Sequence, residues 1–161
     1  MQTTPKLHME TTMIAPGKTA GEIISELVAA GANQINQTYS DGRIIGIRWV
    51  MRVDGQDLLF DMPVRVEPVY VIFAKRRGHK TGRNTEGRIV YPQDMEKAER
   101  VAWRQLLRWI QAQVAMIQTG MVKAEEVFLP YWFDPVKSQT LFQSMSEMRF
   151  KALPAPEVKP Q

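Results

Sequence analysis

Between Gln93 and Thr119 the apolar positions recur with a helical period. Advancing about 100° per residue gathers Ala98, Ala102, Leu106, Trp109, Ile110, Val114 and Ile117 into one broad arc, with Trp103 and Leu107 at its margin. The stretch contains neither Gly nor Pro and stops at Gly120, so it predicts one long sided helix. Upstream the period changes. Ile35 to Tyr39 and Arg43 to Val53 read as strands joined through Ser40-Asp41-Gly42, and Asp54-Gly55 turns the chain into a third strand over Gln56 to Val66. Pro63 cannot donate to a ladder, so that strand is expected to bulge or to lie at an edge.

Ahead of the strands, Thr19-Ala20-Gly21-Glu22 has capping-box spacing before apolar Ile23, Ile24, Leu27 and Val28, which predicts a helix from Thr19 to Gly31. Glu67-Pro68 followed by VYVIFAKRR and Gly78 fits a short helix with Pro in its first turn, although its β-branched and aromatic content also suits a strand. We adopt the helix. Residues 78–92 are a loop by composition, 121–135 an extended or irregular stretch, and Ser138 to Phe150 a last helix. Residues 1–15 read as a loose arm or short edge strand. The expected architecture is α+β: an N-terminal helix, an antiparallel three-stranded meander, then a long amphipathic helix followed by a short one. A single domain spans 1–150, and 151–161 form a Pro-rich tail expected to be disordered.

Composition narrows the chemistry. The chain of 161 residues has no cysteine, which removes disulfides, thiol nucleophiles, iron–sulfur clusters and thiolate zinc sites, and fits a reducing cytoplasm. The N-terminus lacks an apolar signal core, and no apolar run approaches the roughly 20 residues needed to cross a bilayer; a cytoplasmic, membrane-free protein is expected. Ala15-Pro16-Gly17-Lys18-Thr19 has the ending of a phosphate-binding loop, but Thr12 stands where the first glycine of that pattern belongs. His8 and His79 are the only imidazoles. Asp54, Asp57 and Asp61 surround a turn that accounts for Asp54, and Glu125-Glu126 has no companion motif. No catalytic, cofactor or metal constellation emerges, and the expectation is a protein that is not an enzyme.

The cations say more. Between Lys75 and Arg88 lie Lys75, Arg76, Arg77, Lys80, Arg83 and Arg88 against the single acid Glu86, a local surplus of five on a chain of net charge +4. Such a loop suits phosphates, or else simply keeps the protein in solution. On the long helix, Lys97, Arg100, Arg104 and Arg108 gather opposite the apolar arc. Like charges four residues apart each cost a few tenths of a kcal/mol, so the stripe calls for an anion: a phosphate, an acidic protein, or Glu125 and Glu126 folding back. Tyr131 and Trp132, with Phe128 and Phe133, form an aromatic cluster that suits either base stacking or the core.

AERVAWRQLLRWIQAQVAMIQTGMVKAEEVFLPY at 98–131, following FDMPVRV at 60–66, resembles a group of small, largely uncharacterised proteins encoded by phages and prophages. Ala102-Trp103-Arg104 and Phe128-Leu129-Pro130-Tyr131 are the most specific parts of that resemblance, which implies a mobile-element origin and supplies no catalytic residue. The order helix, three strands, helix is similar to that of double-stranded RNA-binding domains. Those domains carry lysines at the start of the second helix, where Tyr91 to Lys97 here is mostly acidic. A strand meander backed by a long helix is also similar to single-strand annealing proteins. The leading expectation is a phage-type nucleic-acid-binding accessory protein favouring single-stranded DNA. Lys75, Arg76, Arg77, Lys80, Arg83, Arg88, Arg100, Arg104 and Arg108 would meet phosphates, with Tyr131 or Trp132 stacking on bases. The rival is a protein-binding module or inhibitor acting on a host enzyme or defence protein, and a third reading makes the apolar arc an oligomer interface.

Overall fold

A computed structural model describes residues 5–156. Helix α1 (Pro16–Ala29) leads into strands β1 (Asn33–Ser40), β2 (Arg43–Val53) and β3 (Gln56–Pro63), which form an antiparallel sheet in the order β1-β2-β3. Helix α2 (Glu67–Arg76), a loop, and helix α3 (Pro92–Gln118) follow. The chain then makes a short helix α4 (Ala124–Phe128), a 3-10 turn (Leu129–Tyr131), a two-residue hairpin of β4 (Phe133–Asp134) with β5 (Gln139–Thr140), and helix α5 (Leu141–Glu147). The α+β order read from the hydrophobic pattern is the observed one.

Both meander turns follow from their residues. Asp41 and Gly42 adopt φ of 50° and 74°, and Asp54 and Gly55 adopt 46° and 82°, the doubly left-handed pair whose twist matches the flanking strands. The register Ile47↔Met62, Trp49↔Phe60 and Met51↔Leu58 turns one sheet face toward the helices. On the opposite face Arg48 pairs with Asp61 and Arg52 with Asp57 across the strands, at 3.1 and 3.2 Å. Two of the three acids of the sequence cluster, Asp57 and Asp61, are therefore occupied by arginines, and Asp54 serves the turn.

The core has two parts that share α3. Trp49, Phe60, Met62, Ile23, Leu27, Trp103, Leu107, Ile110 and Val114 fill the space between sheet, α1 and α3. Phe128 closes this part edge-on to Trp49 and Trp109, with ring centroids 5.3 and 6.1 Å away. A smaller cluster of Tyr70, Phe73, Ala74, Met95, Ala98 and Val101 joins α2 to the first half of α3.

Several sequence expectations shift. α1 opens at Pro16 rather than Thr19, because proline at the first helical positions needs no N–H partner and presets φ; Thr19 is buried inside the helix instead. β3 stops at Pro63, and the chain turns helical from Val66. Within the 121–135 stretch only Phe133–Asp134 is strand; the rest contains α4 and the 3-10 turn, and Glu126 accepts a hydrogen bond from the Lys123 N–H that opens α4. α5 is shorter than 138–150: the Thr140–Gln143 capping box sets its start, and Arg149 and Phe150, at φ of 50° and 56°, lie beyond its end. Residues 5–15 form no strand. They are docked: Glu10 bonds Arg76 at 2.7 Å and lies 3.5 Å from Lys97, and Gln105 donates to the His8 carbonyl. Residues 1–4, and the tail from 157 onward, lie outside the described residues; 154–156 are in no helix or strand. No helix among the described residues is long and apolar enough to cross a membrane.

The buried arc of α3 is also wider than its apolar pattern. Trp103 and Leu107 sit at its centre rather than its margin, Leu106 and Trp109 are half-buried, and Asp94 and Arg104 are buried among polar partners. α2 packs against the first half of α3, and α1 meets it from Arg104 onward.

Candidate nucleic-acid interface

The basic loop is held in shape by the very arginines that make it basic. Arg77 donates to both carboxylate oxygens of Asp94, at 2.6 and 3.2 Å, over the Tyr91 ring. Arg83 forms a fork to Glu67 at 3.1 Å on each arm and also donates to the Gly87 carbonyl. The hydrogen bond that Arg77 donates to Asp94, reinforced by the carboxylate's charge, holds the Arg77 guanidinium above its ordinary pKa, and Glu67 does the same for Arg83. Arg76 is taken by Glu10 and the Pro5 carbonyl.

The loop backbone is tied to α2 as well. The buried Tyr70 hydroxyl donates to the Gly82 carbonyl at 2.6 Å and accepts from the Tyr91 N–H at 3.2 Å. Gly82 has φ of +71°, and a Cβ there would overlap the Tyr70 ring and Ala74, so only glycine fits. His79 is not a free imidazole; its Nδ1 accepts from the Gly82 N–H. Asn84 accepts the Glu86 and Arg88 N–H groups.

Lys75 and Lys80 remain exposed, with no ion pair among the described residues. Arg88, 80% exposed, stands 3.4 Å from Glu86. An exposed pair of that kind holds the cation weakly. The surplus of five thus becomes three presented cations against one carboxylate.

The basic stripe of α3 divides in the same way. Arg104 bonds Glu22 and Thr19 of α1, and so finds its anion in neither Glu125 nor Glu126. Arg108, exposed, donates to Gln111 within the helix. Arg100 has no ion pair among the described residues, and its Nε is buried without a hydrogen-bond partner. Tyr131 packs edge-on to Trp109 at 5.9 Å, and Trp132 bridges to Phe60 through its backbone beside the core. Both rings pack against the core and remain partly exposed.

Sequence reasoning passed over a neighbouring feature. Between the β1–β2 hairpin and the start of α3 lies an open cleft of about 510 Å³. Its floor is aliphatic: Ile44, Ile45, Val64, Ile89 and Met95. Asp41, Arg43 and Glu99 supply its charges, with Arg43 Nη1 3.8 Å from Glu99 Oε1. Ile45, apolar yet 42% exposed, lies on its floor. A second, apolar groove of about 270 Å³ lies at the other end of the chain, between Leu129, Leu141, Phe142, Met145, Phe150 and Leu153.

No family model, curated protein or solved structure matches this chain.

Proposed function

We propose that this protein is a non-enzymatic nucleic-acid-binding accessory protein of phage type, which holds single-stranded DNA by its phosphates. One observation carries the reading: the 75–88 loop is braced by Arg77–Asp94, Arg83–Glu67 and Tyr70–Gly82, while Lys75, Lys80 and Arg88 face solvent. Fixing a loop in advance lowers the entropy cost of binding, and cations left without strong partners are those whose counterions a phosphate chain can displace. Arg100 and Arg108 extend the contact along α3. Arg76, Arg77, Arg83 and Arg104 act as braces instead.

Fluorescence anisotropy with labelled single- and double-stranded oligonucleotides between about 50 and 200 mM salt tests this. Wild type binds, and its affinity falls steeply with salt. Replacing Lys75, Lys80 and Arg88 together by alanine lowers the slope of log affinity against log salt by about 2, near 0.7 for each lost contact. Absence of binding at the lowest salt, or an unchanged slope, refutes the reading.

The apolar groove between Leu129 and Leu153 favours a second reading, a protein-binding module. Partners captured in the presence of nuclease, and lost with Phe142→Asp, would support it.

A further inference from the structure

We infer that the cleft between the β1–β2 hairpin and α3 receives one unpaired nucleobase bearing an exocyclic amino group, an inference that rests on the nucleic-acid reading above. At about 510 Å³ the cleft falls within the range of about 300–1,000 Å³ typical of small-molecule pockets, and it has their usual composition, an apolar floor with few polar groups. Ile44, Ile45, Val64, Ile89 and Met95 offer a flat ring a dry surface.

The charges decide which part of a nucleotide enters. Asp41 and Glu99 are two carboxylates against the single guanidinium of Arg43, and a phosphate placed among them would meet net repulsion. The phosphate therefore stays outside. Arg88, exposed and next in the chain to the lining residue Ile89, is the cation nearest in sequence to receive it. A neutral ring fits inside.

Glu99 then selects among rings. Its side chain is 16% exposed, and Arg43 at 3.8 Å lies beyond hydrogen-bonding distance, so its lone pairs are open to a new donor. A carboxylate only accepts. It matches the amino group of cytosine, adenine or guanine, whereas unpaired thymine offers only its N3–H, set between two carbonyl oxygens that a carboxylate repels.

The test compares oligo(dC) and oligo(dT) of about 15 nucleotides, within the footprint of one small domain, by anisotropy at low salt and pH above neutrality. Wild type binds oligo(dC) about tenfold more tightly than oligo(dT). Glu99→Gln brings the two within about twofold, since an amide both donates and accepts, while the Lys75, Lys80 and Arg88 triple variant weakens both and preserves their ratio. Ile45→Glu, at a site exposed enough to tolerate it, adds a carboxylate to the floor and lowers oligo(dC) affinity; near-UV circular dichroism verifies that each variant is folded. Equal binding of the two oligomers by wild type, or a ratio that survives Glu99→Gln, overturns the base pocket. If the triple variant still weakens binding, the phosphate reading stands without it; if wild type binds neither oligomer, both fall.

Discussion

Removing Glu22 should destabilise this protein more than removing Arg104, although the two form one pair. The Arg104 side chain is 8% exposed and that of Glu22 is 40% exposed. Without Glu22 the guanidinium stays buried with only Thr19 Oγ1, 3.4 Å away, as a polar neighbour, and its Nε already lacks a partner. A fully buried pair broken from one side costs about 3–5 kcal/mol, and a hydrogen bond to a charged group is worth about 1.5–3 kcal/mol. Glu22 is half in water, so about 2–3 kcal/mol is expected for Glu22→Ala. Arg104→Met keeps most of the aliphatic stem, and the released Glu22 is hydrated by solvent. That change should cost about 0.5–1 kcal/mol.

Urea and thermal unfolding followed by tryptophan fluorescence measure both, since Trp49 and Trp103 are buried in the core. At about 2–4 °C per kcal/mol for a chain of this length, Glu22→Ala lowers Tm by about 4–12 °C. The double variant should be close to Arg104→Met alone, because removing the stranded cation removes its penalty. An Arg104→Met variant as unstable as Glu22→Ala, or a double variant that simply adds the two losses, would refute the reasoning.

Two further outcomes follow from the braces. Tyr70→Phe deprives the Gly82 carbonyl and the Tyr91 N–H of a buried partner and costs about 1–3 kcal/mol, while Gly82→Ala costs more, because it combines positive φ with ring overlap. Limited trypsin digestion should cut both variants within 75–88 sooner than wild type; equal resistance would mean that the loop is not held as described. For Glu10, burial pushes the carboxyl upward but is outweighed by the Leu7 N–H, Arg76 and Lys97, so its folded pKa lies below the ordinary value of 4.5. A depressed carboxylate contributes stability that is present above its unfolded pKa and is lost as pH falls through the folded one. The stability gap between wild type and Glu10→Gln should be full near neutrality and close as pH falls below 4.5; a gap constant across that titration would exclude the linkage.

The elements were legible where their determinants are local. Asp41-Gly42 and Asp54-Gly55 mark their turns within two residues, and the stretch ending at Gly120 carries its own helical period. What the pattern misjudged was set at a distance. Arg76 meets Glu10 from 66 residues away, and Arg104 meets Glu22 from 82. No periodicity within α3 distinguishes an arginine that faces α1 from one that faces solvent. The cleft was hidden for the same reason, since hairpin, post-β3 segment, loop and α3 each contribute a wall. The aromatic run at 128–133 shows the limit of composition: its rings suit stacking or packing alike, and only the position of Trp49 and Trp109 decides.

α3 serves two cores along one unbroken ladder. Its 27 residues extend about 40 Å, with Met95 to Val101 resting on α2 and Trp103 to Val114 on the sheet. Backbone hydrogen bonds in a helix are local, but their resistance to solvent exchange is borrowed from whatever covers them. The border between two cooperative units therefore falls inside a helix, near Ala102, rather than in a loop. α2, the braced loop and the first turns of α3 can open together while the sheet stays closed. An anion held on Lys75, Lys80 and Arg88 would slow that opening and leave the far half of the same helix untouched.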